Sequence, residues 1–146
     1  WTLARYSAPV VESIADAVTT IAKPYDEVVL IGFSGGGTLA VLVAPKVKKV
    51  TRVITLAGNL DTEKWTEHHA LSPLSASLNP AKEPPLPVRV KQTHYIGSDD
   101  KNILPAWVTQ YSALQLRSEV VNEPHFDHRC CWVTHWSRLL QDALSR

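Results

Sequence analysis

The chain has 146 residues, the length of one ordinary domain, and its 45% of apolar against 20% of charged residues exclude a disordered protein. Fifteen Lys and Arg residues against 14 Asp and Glu residues give a net charge of +1, so charge offers no reason to expect a nucleic-acid partner. No apolar run approaches the roughly 20 residues that a membrane-spanning helix needs. The only two cysteines, Cys130 and Cys131, are adjacent, which excludes a framework of disulfides.

Helical and strand patterns alternate along the chain. Apolar residues at helical spacing predict helices at 10–21, 38–44, 107–114 and 132–143. Runs of strand-forming residues predict strands at 28–31, 52–57, 88–96 or part of it, and 119–121. The first run is continuously apolar, which is typical of a strand buried on both faces of a parallel sheet. We therefore predict a single three-layer α/β domain over residues 1–146, a mostly parallel sheet of about four strands with helices on both faces.

One long connection interrupts this alternation. Residues 60–87 contain five prolines, which break regular structure: Pro73, Pro80, Pro84, Pro85 and Pro87. A connection of this length in a compact domain is typical of a lid or a binding loop. It is equally typical of a surface excursion that covers one edge of the sheet, and the sequence leaves both interpretations open.

A glycine-rich turn follows the first predicted strand. Residues 32–36 have the pattern G-x-S-x-G around Ser34, which is typical of a nucleophile elbow, a strained turn between a strand and a helix. Glycines fit two positions to either side of Ser34 because side chains there would collide. The helix that follows would direct its amides and its positive dipole end at the serine oxygen. The amide of Gly35 can then donate to a developing oxyanion.

Other uses of such a turn are weaker. A glycine-rich turn that only packs a helix closely on a sheet is the simplest alternative, and it stays open. A P-loop is excluded because no lysine follows the glycines. A dinucleotide-binding fingerprint is excluded because G-x-G-x-x-G does not occur after the strand. The nucleophile interpretation is therefore favoured.

A serine nucleophile needs a base and a carboxylate that orients the base, in the order serine, acid, histidine in this kind of fold. The third predicted strand ends in a turn that contains Asp99 and Asp100. The spacing from Gly97 favours Asp100 as the acid, with Asp99 as the alternative. The alternative is that both are solvated turn carboxylates with no catalytic role.

Three histidines follow that acid. His135 falls inside the predicted last helix and is interpreted as a surface or packing residue. His125 and His128 both fall in the loop before it. We favour His128 as the base, because it lies close to the predicted start of the helix at 132 and would be held by that rigid element.

The same loop has a competing interpretation as a metal site formed by His125, His128, Cys130 and Cys131. Adjacent cysteines rarely ligate one tetrahedral ion together, since structural zinc sites separate their cysteines by two or more residues. We therefore predict no metal and no other cofactor. The simpler expectation is that the two small cysteine side chains fill space under the last helix.

The order Ser34, Asp100, His128 on alternating strands and helices resembles the α/β-hydrolase superfamily. More narrowly, the sequence is similar to bacterial α/β hydrolases that are described as lipoproteins. The similarity runs from about residue 25 to the C-terminus and is carried by four stretches: 32–37, 57–61 with Trp65, 94–101 and 126–132. The resemblance implies a serine hydrolase that acts on an ester or related acyl bond of a small molecule, with Ser34 as nucleophile, Asp100 as orienting acid and His128 as base.

The sequence also departs from that family. Full hydrolase domains of this kind place several strands before the nucleophile strand, and a loop after one of them supplies the second oxyanion amide. Only a helix precedes Val28 here, and the chain begins with Trp1 and contains no methionine. We therefore expect the C-terminal portion of a longer hydrolase, with its nucleophile strand as an open edge prone to self-association. An upstream lipoprotein signal would direct such a protein to the bacterial cell envelope.

These expectations lead to one mechanism and one alternative function. The mechanism is two-step acyl transfer, with Phe33 and residues 60–87 lining the acyl pocket and Gly35 stabilising the oxyanion. The alternative is a non-catalytic binding or scaffold protein that retains the hydrolase fold. The complete motif residues argue for the enzyme, and the lack of an oxyanion loop argues for the alternative.

Overall fold

A computed structural model describes residues 3–146, and within them helices and strands alternate. Two short 3₁₀ helices lie at Ala44–Lys46 and Pro80–Lys82. In chain order the main elements are α1 (Ala8–Ile21), β1 (Val28–Phe33), α2 (Gly35–Val43), β2 (Val50–Leu56), α3 (Thr62–His68), β3 (Lys91–Gly97), α4 (Pro105–Ala113), β4 (Ser118–Glu123) and α5 (Trp136–Ser145).

The four strands form one parallel sheet in the order β1-β2-β3-β4. The register aligns Phe33 with Leu56, and Leu56 with Tyr95. The carboxyl ends of β1, β2 and β3 therefore meet at one edge of the molecule. This confirms the predicted α/β architecture with about four parallel strands.

Helices cover the two faces of the sheet unequally. One buried cluster joins alternate strand residues such as Val53 and Ile96 to α1, α2 and α4. The other joins Ile54, Leu56 and Tyr95 to α5 and to the segment that precedes it. Because side chains alternate between the two faces along each strand, they contribute to two separate cores, one on each face of the sheet.

Three details differ from the sequence-based expectations. The strand β1 is not buried on both faces, because Val29 and Ile31 are exposed on the side away from α1 and α2. The proline-rich connection contains the helix α3. The last helix begins at Trp136 rather than at residue 132.

The nucleophile strand β1 forms one edge of the sheet, as expected. Its outward face presents Val29, Ile31 and Phe33, which are exposed by 37%, 42% and 45%. Self-association through this edge stays a prediction. Among residues 3–146, no helix is both long and apolar enough to cross a membrane.

Candidate active site

Ser34 lies in a strained turn between β1 and α2. Its φ of 51° and ψ of −119° place a non-glycine residue in a sparsely populated region of backbone space. Three hydrogen bonds hold the turn: the Ser34 amide donates to the carbonyl of Leu56 at 3.0 Å, and the Ser34 carbonyl accepts from the amides of Gly37 at 2.9 Å and Asn59 at 3.1 Å. The serine side chain is thereby presented at the carboxyl end of the sheet.

Gly35 is the first residue of α2, so its amide has no acceptor within the helix. The positive end of the helix dipole lies at the same place. A side chain at position 35 would collide with the hydroxyl group of Tyr6, a buried residue. The position therefore keeps a glycine and leaves its amide next to Ser34.

Asp100 lies just after β3 and is 2% exposed. Its Oδ1 accepts two backbone hydrogen bonds, from the amides of Asn102 at 2.8 Å and Ile103 at 2.9 Å. Its Oδ2 lies 2.9 Å from Nδ1 of His128. Both carboxylate oxygens are thus occupied, and only one faces the histidine.

His128 connects the acid to the serine. Its Nε2 lies 3.0 Å from Oγ of Ser34, while Nδ1 is bonded to Asp100. The imidazole is about one-fifth exposed, and the Phe33 ring packs against it with 5.1 Å between ring centroids. The structure thus brings together the three residues that the sequence selected, from loops at the ends of β1, β3 and β4.

A turn built on Asp127, rather than the last helix, holds His128 in place. The Asp127 Oδ1 accepts the amides of Arg129 and Cys130, both at 2.7 Å. These two hydrogen bonds, from Cys130 and then Arg129, hold the pKa of Asp127 below its ordinary value. The indole of buried Trp132 donates to the Asp127 carbonyl at 3.0 Å.

The loops that carry Asp100 and His128 are also joined to each other. The amide of Asp99 donates to the carbonyl of Phe126 at 2.9 Å, and the amide of His125 donates to Oγ of Ser98 at 2.8 Å. The residues that form these bonds are close neighbours of Asp100 and His128 in the sequence. The bonds fix the separation of the two loops independently of the Asp100–His128 contact.

The alternative acid and base lie outside this arrangement. Asp99 and His125 are exposed, with 3.8 Å between Asp99 Oδ2 and His125 Nδ1. His135 does not lie inside a helix but at the N-cap of α5, where its ring contacts Phe126. None of these three side chains approaches Ser34 within hydrogen-bonding distance in the described part of the chain.

The competing metal interpretation of His125, His128, Cys130 and Cys131 is not supported by the structure. Between residues 3 and 146, no group of three or more His, Cys, Asp and Glu side chains is arranged to hold a metal ion. Cys130 and Cys131 are joined by a disulfide. A disulfide between adjacent residues closes only a small ring and links no distant parts of the chain, so the exclusion of a disulfide framework is unaffected. Cys131 packs against the α5 core, whereas Cys130 is exposed.

An apolar cavity of about 710 Å³ opens beside His128. Its walls are mostly hydrophobic and are formed by Phe33, Leu56, His128, Arg129, Trp132, Val133 and Trp136. Phe33 lines it as predicted, but no residue of 60–87 does. Trp132 and Trp136 were not predicted as lining residues, although their position shortly after His128 in the sequence was an available signal.

No protein-family model and no curated protein sequence matches the chain, but many solved structures do. An α/β hydrolase from the metagenome of lagoon sediments at Mar Chica, Morocco, is 18% identical with a TM-score of 0.69, over 90% of this chain and 68% of that one. A lipase-esterase related protein from Clostridium acetobutylicum is 14% identical with a TM-score of 0.74, over 94% and 74%.

A third structure, an α/β serine hydrolase homologue from Coxiella burnetii, is 17% identical with a TM-score of 0.64, over 93% of this chain and 56% of that one. The chain thus spans between about half and three quarters of these three proteins. At these identities the likeness concerns the fold, and the chain has the α/β-hydrolase fold. The narrower resemblance to lipoproteins stays a prediction.

Proposed function

We propose that the chain carries the active site of a serine hydrolase that cleaves carboxylic esters or related acyl bonds. The observation that carries this proposal is the hydrogen-bonded triad in which His128 contacts Ser34 Oγ at 3.0 Å and Asp100 Oδ2 at 2.9 Å. Packing alone does not explain this arrangement, because a buried acid, a mostly buried imidazole and a strained serine have no packing reason to meet.

The first half of the reaction forms an acyl-enzyme. Ser34 Oγ attacks the carbonyl carbon of the ester while Nε2 of His128 takes the serine proton. The Asp100 carboxylate stabilises the resulting imidazolium, and the amide of Gly35 donates to the oxyanion. The tetrahedral intermediate then collapses, and the alcohol leaves with the proton from Nε2.

The second half releases the acid. A water molecule gives a proton to Nε2 of His128 and attacks the acyl carbon, and the second tetrahedral intermediate again places its oxyanion at Gly35. Collapse breaks the bond to Ser34 Oγ, which regains its proton from the imidazolium. The carboxylic acid leaves and the triad returns to its starting state.

The cavity beside His128 supports an apolar acyl group as part of the substrate. Its volume of about 710 Å³ accommodates a medium-length alkyl chain or an aromatic ring. The rings of Trp132 and Trp136 offer flat hydrophobic walls, and Phe33 and His128 line the cavity with their ring centroids 5.1 Å apart. Because His128 lines the cavity and its Nε2 lies 3.0 Å from Ser34 Oγ, we place the carbonyl carbon of an acyl group bound there next to Ser34.

A fluorophosphonate probe, which reacts covalently with activated serines, tests the proposal. We expect labelling of the wild-type chain and its loss in Ser34→Ala and in His128→Ala. The matched control is Ser75→Ala, which removes an exposed serine from residues 60–87. Turnover of p-nitrophenyl butyrate should be lost in the same two variants and retained in the control.

Two outcomes would contradict the proposal. One is a wild-type chain that is folded by circular dichroism yet neither reacts with the probe nor turns over the ester. The other is labelling that persists in Ser34→Ala. Either would favour the non-catalytic binding or scaffold function instead.

A further inference from the structure

The loop that carries Asp100 is held from outside by the helix α3 and the residue that follows it. We propose that His69 and Trp65 are positioning residues for the triad, which act on Asp100 through Asn102. This inference rests on the proposed hydrolase function and assigns a role to part of residues 60–87. That connection does not line the cavity beside His128.

The first link joins Asn102 to Asp100. The amide of Asn102 donates to Oδ1 of Asp100 at 2.8 Å, and the neighbouring amide of Ile103 donates to the same oxygen. The carboxylate is buried, and its other oxygen faces His128. Because two backbone amides set the rotation of the carboxylate, the position of Asn102 determines where Oδ2 points.

The second link joins Asn102 to α3. Nε2 of His69 lies 2.9 Å from the Asn102 carbonyl, which fixes Nε2 as the protonated nitrogen that donates. Nε1 of Trp65 donates to Oδ1 of the Asn102 side chain in a longer bond of 3.4 Å. Asn102 is therefore held both at its main chain and at its side chain. His69 and Trp65 thus hold its carbonyl and its side chain, while its amide donates to Asp100.

The holding residues are themselves rigidly placed. Asp61 caps α3, with its Oδ1 accepting the amide of Lys64 at 3.2 Å, and Trp65 packs against the larger core. The rings of Trp65 and His69 lie 5.6 Å apart, and His68 packs edge-on against Trp107 of α4 at 5.3 Å. A loop clamped to such an element loses little freedom when a substrate binds.

The chemistry of these two residues is more specific than packing requires. A leucine or phenylalanine at either position would fill the same space without donating to Asn102. Each of the two side chains instead directs its ring N–H at an oxygen of the same residue. Both side chains are partly exposed, so desolvation alone does not demand a hydrogen-bond partner for them.

Steady-state kinetics of four variants test this clamp, by which we mean the hydrogen bonds that His69 and Trp65 donate to Asn102. We expect His69→Met, which keeps the size of the side chain but removes the donor, to lower kcat roughly 10-fold to 100-fold with little change in KM. His69→Gln, which can still donate to the Asn102 carbonyl, should restore most of the loss. Trp65→Phe should cause a smaller loss. The control Glu67→Ala removes an exposed carboxylate from the same helix and should leave kcat unchanged.

A spectroscopic readout tests the clamp independently of turnover. The proton that joins His128 Nδ1 to Asp100 should give a downfield signal in the proton NMR spectrum of the wild-type chain. We expect it to be broadened by faster solvent exchange in His69→Met and restored in His69→Gln. A His69→Met variant with wild-type kcat and an unchanged signal would overturn the proposal.

The two proposals fail in different ways. A wild-type chain that shows the downfield proton but no probe labelling would refute the hydrolase, and the response of that proton to His69→Met would still decide the clamp. Probe labelling with a signal indifferent to His69 would refute the clamp alone. Should His69→Met not fold, Trp65→Phe and His69→Gln supply the same comparison, with the signal weakened in the first and preserved in the second.

Discussion

The carbonyl group of Gly36 packs directly against the Cα of Gly32, the glycine two positions before Ser34. A Cβ at Gly32 would occupy the place of that carbonyl, whereas a Cβ at Gly36 would meet no atom within 4 Å. Of the two glycines in the G-x-S-x-G pattern, only the first is required by the close approach of the backbone. The prediction that side chains would collide on both sides of Ser34 is therefore wrong for Gly36, where a Cβ has open space.

We therefore expect opposite effects from two alanine substitutions. Gly32→Ala forces the strand and the helix apart and should lower the free energy of unfolding by about 1–3 kcal/mol. Gly36→Ala lies in α2 with open space around it and should raise that free energy by up to about 1 kcal/mol. Urea denaturation of both variants measures the difference. Equal destabilisation by the two substitutions would contradict this account of the turn.

The fold was predictable because its signals are local. Short apolar runs predict the buried strands of this chain, as with Val53 and Ile54 of β2, and apolar residues at helical spacing predict its helices. The exposure of Val29 and Ile31 was not predictable, because an apolar run does not reveal which faces have neighbours. The helix α3 was missed because seven residues are too short for a periodic pattern, although Asp61 supplied a capping signal.

Only those residues of the candidate site that belong to a recognisable motif, in a known order along the chain, were predictable. Ser34, Asp100 and His128 follow from a turn pattern and from the order of acid and base along the chain. The contact of His69 with Asn102 joins residues 33 positions apart and has no sequence signature. The Asp127 turn was missed for a different reason, since the apolar residues after His128 were read as a helix although buried Trp132 lies before α5 begins.

The two adjacent acids after β3 should differ sharply in their effect on activity. In Asp100→Asn, Oδ1 can still accept the amides of Asn102 and Ile103, which turns the side-chain NH₂ toward Nδ1 of His128. That arrangement favours the tautomer with its proton on Nε2, which cannot accept the proton of Ser34. We expect kcat for p-nitrophenyl butyrate to fall about 10³-fold to 10⁴-fold.

The matched control is Asp99→Asn, which alters an exposed carboxylate near His125. Its kcat should stay close to that of the wild type, since no bond to the triad is lost. Thermal unfolding of both variants separates loss of activity from loss of structure. A larger loss of activity in Asp99→Asn than in Asp100→Asn would show that Asp99, and not Asp100, is the orienting acid.

The buried His94 should make the stability of the fold depend on pH. This fully buried side chain in β3 contacts Thr55 Oγ1 through Nδ1 at 2.8 Å, and its Nε2 has no hydrogen-bond partner among residues 3–146. Burial lowers the pKa of His94 from 6.5 to about 3. Below pH 6.5 the unfolded chain therefore binds a proton that the folded chain excludes, and stability falls as the pH falls toward 3.

Between pH 7 and pH 5 this single group should remove about 2 kcal/mol from the free energy of unfolding. The carboxylates of the chain add their own dependence at lower pH, so the measurement compares the wild type with His94→Asn over that interval. The difference in stability between the two proteins should shrink by this amount. His125→Asn, which alters a histidine that is 92% exposed, should leave the pH dependence as in the wild type.

The cavity beside His128 should set the preference for the acyl group of the ester. Each methylene group buried against Trp132 and Trp136 contributes up to about 0.8 kcal/mol, or roughly a fourfold gain in kcat/KM per added carbon. We expect kcat/KM to rise from p-nitrophenyl acetate to the butyrate and hexanoate. Trp136→Ala removes one wall and should flatten this rise while leaving the acetate nearly unaffected, because a two-carbon acyl group does not reach that wall.

The comparison variant is Trp107→Ala, which removes a tryptophan of α4 that packs against the opposite core and does not line the cavity. It should retain the wild-type dependence on acyl length even if its stability falls. A series in which kcat/KM decreases with acyl length in the wild type would show that the acyl group lies elsewhere. The aromatic surface next to His128 would then contact the alcohol part of the ester, and Trp136→Ala should alter selectivity among alcohols of a fixed acyl group.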